Sequence, residues 1–170
     1  MPDRLIRPAS GGFILASLLL ALLLALMPVG RVPWAPDPLA LVLVFWAVHA
    51  PRRVGLGVAF IFGLALDVHQ AALLGQHALA YAVLVYGAIM LHRRVRWFAS
   101  LSQALHLLPL FAAAHLIVLA LRMLGGAPFP GWQALAAPLI EAVLWPFVGA
   151  LLQAPQRRAA GAGVGVGRKR

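Results

Sequence analysis

Apolar residues form six long runs along the chain, and the short stretches between them hold nearly all of the charge. A helix needs about 20 mostly apolar residues to cross a bilayer core about 30 Å thick. The pattern therefore predicts an all-α integral membrane protein, a bundle of about six transmembrane helices in one membrane domain of residues 1–152. The predicted spans cover residues 13–29, 38–50, 54–68, 73–91, 98–121 and 132–152.

Spans two and three are short, and only Pro51-Arg52-Arg53 separates their apolar runs. They could instead form a re-entrant hairpin buried in protein. The hairpin would place Arg52 and Arg53 inside the bilayer or on the wrong face, where a charge is costly. We therefore favour two short spans beside longer neighbours in a locally thinned bilayer.

The composition excludes an ordinary soluble domain. The chain has 170 residues, of which 63% are hydrophobic and 11% charged, and its mean hydropathy is +0.92. A soluble domain is about half apolar and about a quarter charged, so it could not coat its surface with so few polar side chains. The absence of cysteine excludes structural disulfides, thiolate metal sites and a cysteine nucleophile.

The basic residues indicate an orientation. The formal net charge is +10, and an alternating path with a cytoplasmic N-terminus places 12 of the 14 Lys and Arg residues inside. Only Arg31 and Arg122 then lie outside, so the bias of short loops predicts that both termini are cytoplasmic. Basic loop edges without aromatic stacking platforms favour membrane lipids over nucleic acid as the binding partner. Residues 153–170 are predicted to be a disordered, flexible basic tail.

Two acidic residues fall within the predicted spans. A charge inside a bilayer is costly, so an intramembrane acid is a functional candidate. Glu141 lies in the last span between two prolines, where it could anchor a polar or cationic group of a partner, act as a proton site, or simply be satisfied by a neighbouring helix. Asp67 closes the third span at its outer end.

A stripe of small residues precedes Asp67 at four-residue spacing, namely Gly55, Ala59 and Gly63. Small residues at this spacing allow two helices to approach closely. The stripe predicts either a packing face within the chain or a contact with a partner, and packing within the chain is the favoured interpretation.

No catalytic, cofactor-binding or metal-binding residue is predicted. None of the four serines lies in a glycine-rich turn with a positioned histidine, and no two carboxylates are close in sequence. His69 and His77 could join Asp67 at a metal site, but no two-ligand spacing such as HExxH is present. We expect no enzymatic activity and no cofactor.

The order of several short motifs resembles that of the rod shape-determining protein MreD family. The shared features run across nearly the whole chain: FW at 45–46, APRRV at 50–54, Gly55, Gly57, Gly63, Asp67, LGQ at 74–76, ALAY at 78–81 and VLWPF at 143–147. Ala71 departs from the pattern, because the family often has glycine at that position.

The resemblance implies a multi-pass component of the bacterial inner membrane that belongs to the cell-elongation machinery. The implied partners are an MreC-like bitopic protein, the actin-like MreB, the glycosyltransferase RodA and a penicillin-binding transpeptidase. The implied role is that of a non-catalytic scaffold or regulator of side-wall peptidoglycan synthesis. The family also resembles the substrate-binding membrane subunits of vitamin transporters, so a transport role is the alternative.

Overall fold

Six helices follow the six apolar runs. The computed structural model describes residues 10–27, 32 and 34–162, and this part of the chain contains helices and no strands, which confirms the all-α prediction. The helices are α1 (Gly11–Leu26), α2 (Pro38–His49), α3 (Leu56–Gln70), α4 (Gln76–Val95), α5 (Ser100–Leu124) and α6 (Ala136–Ala162). A short 3₁₀ turn, Trp132–Leu135, precedes α6.

The helices divide into two groups by length. Three segments are long and apolar enough to cross a membrane: Gln76–Val95, Leu101–Leu124 and Trp132–Gln156. The other three are shorter, with 16 residues in α1, 12 in α2 and 15 in α3. The sequence predicted only two short spans, whereas α1 also ends early, at Leu26.

Helix α2 lies at the centre of the bundle. Nine of its twelve residues are buried, and they point in all directions around the helix. Its neighbours are α1, α4 and α6, while α1, α3, α4, α5 and α6 contact one another in that order around it. A helix that is apolar on every side is one that is enclosed on every side. This position explains why so short a helix is composed of large apolar residues.

Polar atoms of the core aromatic residues are paired. The Trp46 indole N–H on α2 donates to Ser17 Oγ on α1 at 2.8 Å, and the Trp145 indole N–H on α6 donates to Gln103 Oε1 on α5 at 3.0 Å. The Phe45 ring contacts the Trp46 ring, with centroids 5.0 Å apart. Buried tryptophan requires such acceptors, so these bonds help to define the helix pairs.

Helix α6 extends beyond the predicted last span. It continues through Pro155 to Ala162, so residues 153–162, which were predicted to belong to the flexible tail, are helical. Alanine, glutamine and arginine fill much of this stretch and are strong helix formers. The loss of apolar character ends the candidate span without ending the helix. Residues 163–170 lie outside the described residues.

Ala71 ends α3 in a left-handed conformation, with φ +49°. It is the only non-glycine residue with positive φ among those that the structure describes. The turn that it makes allows the Ala72 N–H to donate to the Asp67 carbonyl at 3.1 Å. A Cβ atom is unfavourable in this conformation, and glycine usually occupies it.

Replacing Ala71 with glycine is expected to raise the unfolding temperature of the protein in mild detergent. Removing the Cβ relieves a strain of about 1 kcal/mol, and the greater unfolded-state freedom of glycine offsets part of that gain. Ala72→Gly is the matched control, because Ala72 has no positive φ, and it should lower stability. A lower unfolding temperature for Ala71→Gly would contradict the strain argument.

Candidate functional site: a network of buried carboxyl groups

Three of the four acidic residues of the chain lie at one end of the bundle. Asp37 precedes α2, Asp67 lies in the last turn of α3, and Glu141 lies in the second turn of α6. Asp67 and Glu141 have no exposed surface, and Asp37 is partly buried. In a membrane bundle each of these carboxyl groups requires donors from the protein.

Asp37 is the N-cap of α2. Its Oδ1 atom accepts hydrogen bonds from the Leu39 N–H at 2.9 Å and the Ala40 N–H at 3.2 Å. Its Oδ2 atom accepts from the Tyr81 hydroxyl on α4. Pro38 follows at the first helical position, where no N–H is needed. The carboxylate thus satisfies the start of the central helix and joins it to α4.

Glu141 reaches the same helix start from α6. The Asp37 N–H donates to Glu141 Oε1 at 2.8 Å, and His115 Nε2 on α5 lies 3.4 Å from the same oxygen. Glu141 Oε2 is buried and makes no hydrogen bond with the described residues. The groups that contact Glu141 therefore come from the start of α2 and from α5.

His115 faces Glu141 from α5. Its Nδ1 lies 3.1 Å from the Phe111 carbonyl, which can only accept, so Nδ1 carries a hydrogen. Nε2, on the other side of the ring, is the atom that lies 3.4 Å from Glu141 Oε1. The imidazole therefore connects the main chain of α5 to the carboxyl group on α6.

Asp67 caps a helix other than its own. Its Oδ2 atom accepts from the Gly75 N–H at 2.9 Å and the Ala78 N–H at 3.4 Å, and its Oδ1 atom accepts from the His77 N–H at 2.9 Å. His77 Nδ1 also lies 2.7 Å from Oδ1. The carboxylate on α3 therefore satisfies the N-terminus of α4, where the helix dipole favours a negative charge.

Gly63 lies one turn before Asp67, where α3 approaches the start of α4 most closely. A Cβ atom on Gly63 would lie 2.4 Å from Ala78 Cα, so this approach requires glycine. Ala59 is fully buried one turn earlier. Gly55 instead precedes α3, and a Cβ atom there would meet nothing within 4 Å. The predicted stripe thus has two members in the packed interior of the bundle and one in an open position.

Tyr81 connects the two groups of carboxylates. Its hydroxyl binds Asp37, and its ring lies 5.9 Å from the ring of His77, which contacts Asp67. We call this set the carboxyl network; its side chains come from five helix segments, and its members are Asp37, Asp67, His77, Tyr81, His115 and Glu141.

Sequence reasoning selected Asp67 and Glu141 but missed Asp37, Tyr81 and His115 as their partners. The Asp37-Pro38 pair is itself a typical N-cap signal and could have marked Asp37. His69, a possible metal ligand, is exposed, and the described residues bring together no three side chains suited to hold a metal ion. The oxygens of Asp67 accept main-chain hydrogen bonds instead.

Comparison with known proteins gives the family. The family model described as rod shape-determining protein MreD matches residues 7–154. The chain belongs to the MreD family. The rod shape-determining protein MreD of Haemophilus influenzae is 30% identical to it over 139 residues, which cover 79% of this chain and 83% of that protein. No solved structure matches the chain.

Membership of the MreD family confirms the resemblance seen in the sequence and supports a role in determining rod shape. MreD is a family of rod-shape-determining proteins and not a known family of enzymes. All six members of the carboxyl network lie within residues 7–154, the part of the chain that the family model matches.

Gly63→Ala is expected to lower the free energy of unfolding by about 1–3 kcal/mol, because the added methyl group forces α3 and the start of α4 apart. The control is Gly57→Ala on the same helix, where a Cβ atom would meet nothing within 4 Å. Gly57→Ala should be neutral or slightly stabilising. Thermal unfolding in mild detergent measures both. Equal effects from the two substitutions would show that no close contact forms at Gly63.

Proposed function

We propose that the chain is a non-catalytic scaffold or regulator of the cell-elongation complex in the bacterial inner membrane. In this proposal it positions an MreC-like bitopic protein together with MreB, RodA and a penicillin-binding transpeptidase for side-wall peptidoglycan synthesis. The observation that carries the proposal is the MreD family match over residues 7–154. A chain that is almost entirely apolar helix acts on its partners chiefly within the membrane.

The carboxyl network supports a structural role for the acidic residues. Asp37 and Asp67 accept hydrogen bonds from main-chain N–H groups at helix N-termini, and Glu141 accepts one from the Asp37 N–H. Carboxyl groups occupied in this way hold helices together and are poorly placed to act on a substrate. The network then maintains the relative positions of the helices whose outer faces meet partners.

A transport role has less support from the described residues. Two cavities among these residues have volumes of about 370 and 100 Å³. Sites for small molecules usually combine about 300–1,000 Å³ of space with several convergent polar groups. Arg53 is the only polar side chain lining the larger cavity, and the smaller one falls below that range. Neither cavity is lined by Glu141 or another member of the carboxyl network.

The orientation is part of the proposal: six crossings with both termini in the cytoplasm. Its support is the distribution of basic residues and the antiparallel order of α2, α3 and α4, whose network residues meet at one end. Reporter fusions should alternate between outside and inside, beginning outside, after Val29, Arg53, Gln70, Arg94, Gly126 and Arg158. A periplasmic signal after Arg53 would contradict the two short crossings and favour a re-entrant hairpin.

Substitutions of Glu141 distinguish a structural contact from proton-coupled transport. Glutamine keeps an oxygen that can accept from the Asp37 N–H, whereas leucine leaves this N–H without its acceptor, at a cost of about 1–3 kcal/mol. We expect Glu141→Gln to preserve rod shape and co-purification of the elongation proteins, and Glu141→Leu to impair both. Cell morphology and affinity purification in mild detergent are the measurements.

Two results with these variants would contradict the proposal. If Glu141→Gln fails as badly as Glu141→Leu, a titrating proton is required and transport is favoured. If neither substitution changes shape or co-purification, the contact has no role in assembly. Val143→Leu is the control, because it introduces leucine on an exposed face of the same helix. This variant should behave as the parent.

A further inference from the structure

A groove with a volume of about 370 Å³ lies between α1 and α3. Its walls are formed by branched aliphatic and aromatic side chains, including Ile14, Leu15, Leu18, Val58, Ile61 and Phe62. Leu15 and Ile61 are 53% and 66% exposed, so the rim of the groove faces the surroundings of the bundle. An apolar cavity of about 150 Å³ accommodates benzene, so this groove has room for a longer hydrocarbon segment.

Arg53 is the only charged residue that lines the groove. It lies in the loop before α3, and its Nη1 atom is 3.7 Å from the position that a Cβ atom would occupy on Gly11, the first residue of α1. The groove is therefore amphipathic, with a cation beside the start of α1 and apolar walls between the two helices. An arginine guanidinium matches the geometry of a phosphate group.

We propose that this groove binds an anionic phospholipid, with the headgroup phosphate at Arg53 and part of one acyl chain between α1 and α3. Basic sites between membrane helices bind anionic lipid headgroups by the same charge complementarity. A partner helix is a poorer match, because membrane helices pack closely through small residues. Apart from Gly11, the groove is lined by larger side chains.

A lipid in this position fills the space between two helices of the outer ring. α1 buries only Ile14, Leu18 and Ala21, so one narrow stripe connects it to the rest of the bundle. Two of these residues, Ile14 and Leu18, also line the groove. A ligand that binds the folded state alone stabilises it, by an amount that grows with the logarithm of the ligand concentration once this exceeds the dissociation constant. The bound lipid therefore helps to hold α1 against α3.

The test titrates the purified full-length protein in mild detergent with phosphatidylglycerol, or with phosphatidylethanolamine carrying the same acyl chains. Native mass spectrometry measures the bound lipid, and thermal unfolding measures the stabilisation. We expect phosphatidylglycerol to bind about tenfold more tightly than phosphatidylethanolamine, because only its headgroup has a net negative charge. Equal affinity for the two lipids would overturn the proposal.

Arg53→Gln should remove most of this preference for phosphatidylglycerol. Arg52→Gln is the matched control: it removes the same charge one residue away, from a side chain that does not line the groove, and should retain the preference. Equal losses from the two substitutions would indicate general attraction to a basic surface and overturn the assignment to Arg53. Elution at the parent's volume checks that each variant is folded.

Val58→Phe tests the acyl-chain part of the site, because the larger side chain fills the groove and keeps Arg53. It should reduce phosphatidylglycerol binding about as much as Arg53→Gln does. Unchanged binding in a folded Val58→Phe protein would show that the headgroup binds without the groove, which contradicts the proposal. If this variant does not fold, the comparison of Arg53→Gln with Arg52→Gln still decides whether Arg53 carries the headgroup preference.

Discussion

A carboxyl group inside an apolar bundle needs hydrogen-bond donors. A donor on a further polar side chain would add the cost of burying that side chain, so the least costly donors are those that the bundle already contains. Main-chain N–H groups at helix N-termini are such donors, since they have no partner within their own helix. Asp37 and Asp67 use this source directly, at the starts of α2 and α4, and Glu141 uses the N–H of Asp37. Helix starts and acidic side chains satisfy each other, so the positions of α2, α4 and α6 are determined together.

The central position of α2 follows from the same arrangement. Asp37 attaches its N-terminus to α4 through Tyr81 and to α6 through Glu141, while Trp46 is bonded to α1 through Ser17. The surrounding helices form the outer surface of the bundle. The most peripheral of them is α1, which buries only one stripe of side chains. The short helix α2 is thus enclosed by other helices. Its length is determined by its contacts with these helices and not by the thickness of the bilayer alone.

Much of the architecture was predictable from the chain, because apolar runs long enough to be helices are easily read in a sequence so poor in charge. The cost of a charge in lipid also identified Asp67 and Glu141, both of which are fully buried. Their partners were harder to find. The Asp37–Glu141 bond joins residues 104 positions apart, and no sequence motif around His115 marks it as the histidine that faces Glu141. Such pairings depend on helix packing, which periodicity does not report. The extension of α6 to Ala162 was missed because apolar character, and not helix propensity, set the predicted boundary.

The distance in sequence between Asp37 and Glu141 has a consequence for biogenesis. Asp37 is synthesised early, yet its hydroxyl donor Tyr81 follows 44 residues later and the acceptor for its N–H follows 104 residues later. Until α6 leaves the ribosome, the start of α2 lacks a protein partner that the finished bundle provides. The hydrogen bond between the Asp37 N–H and Glu141 therefore forms late in membrane insertion. A nascent chain that stops before Glu141 leaves this N–H without its acceptor.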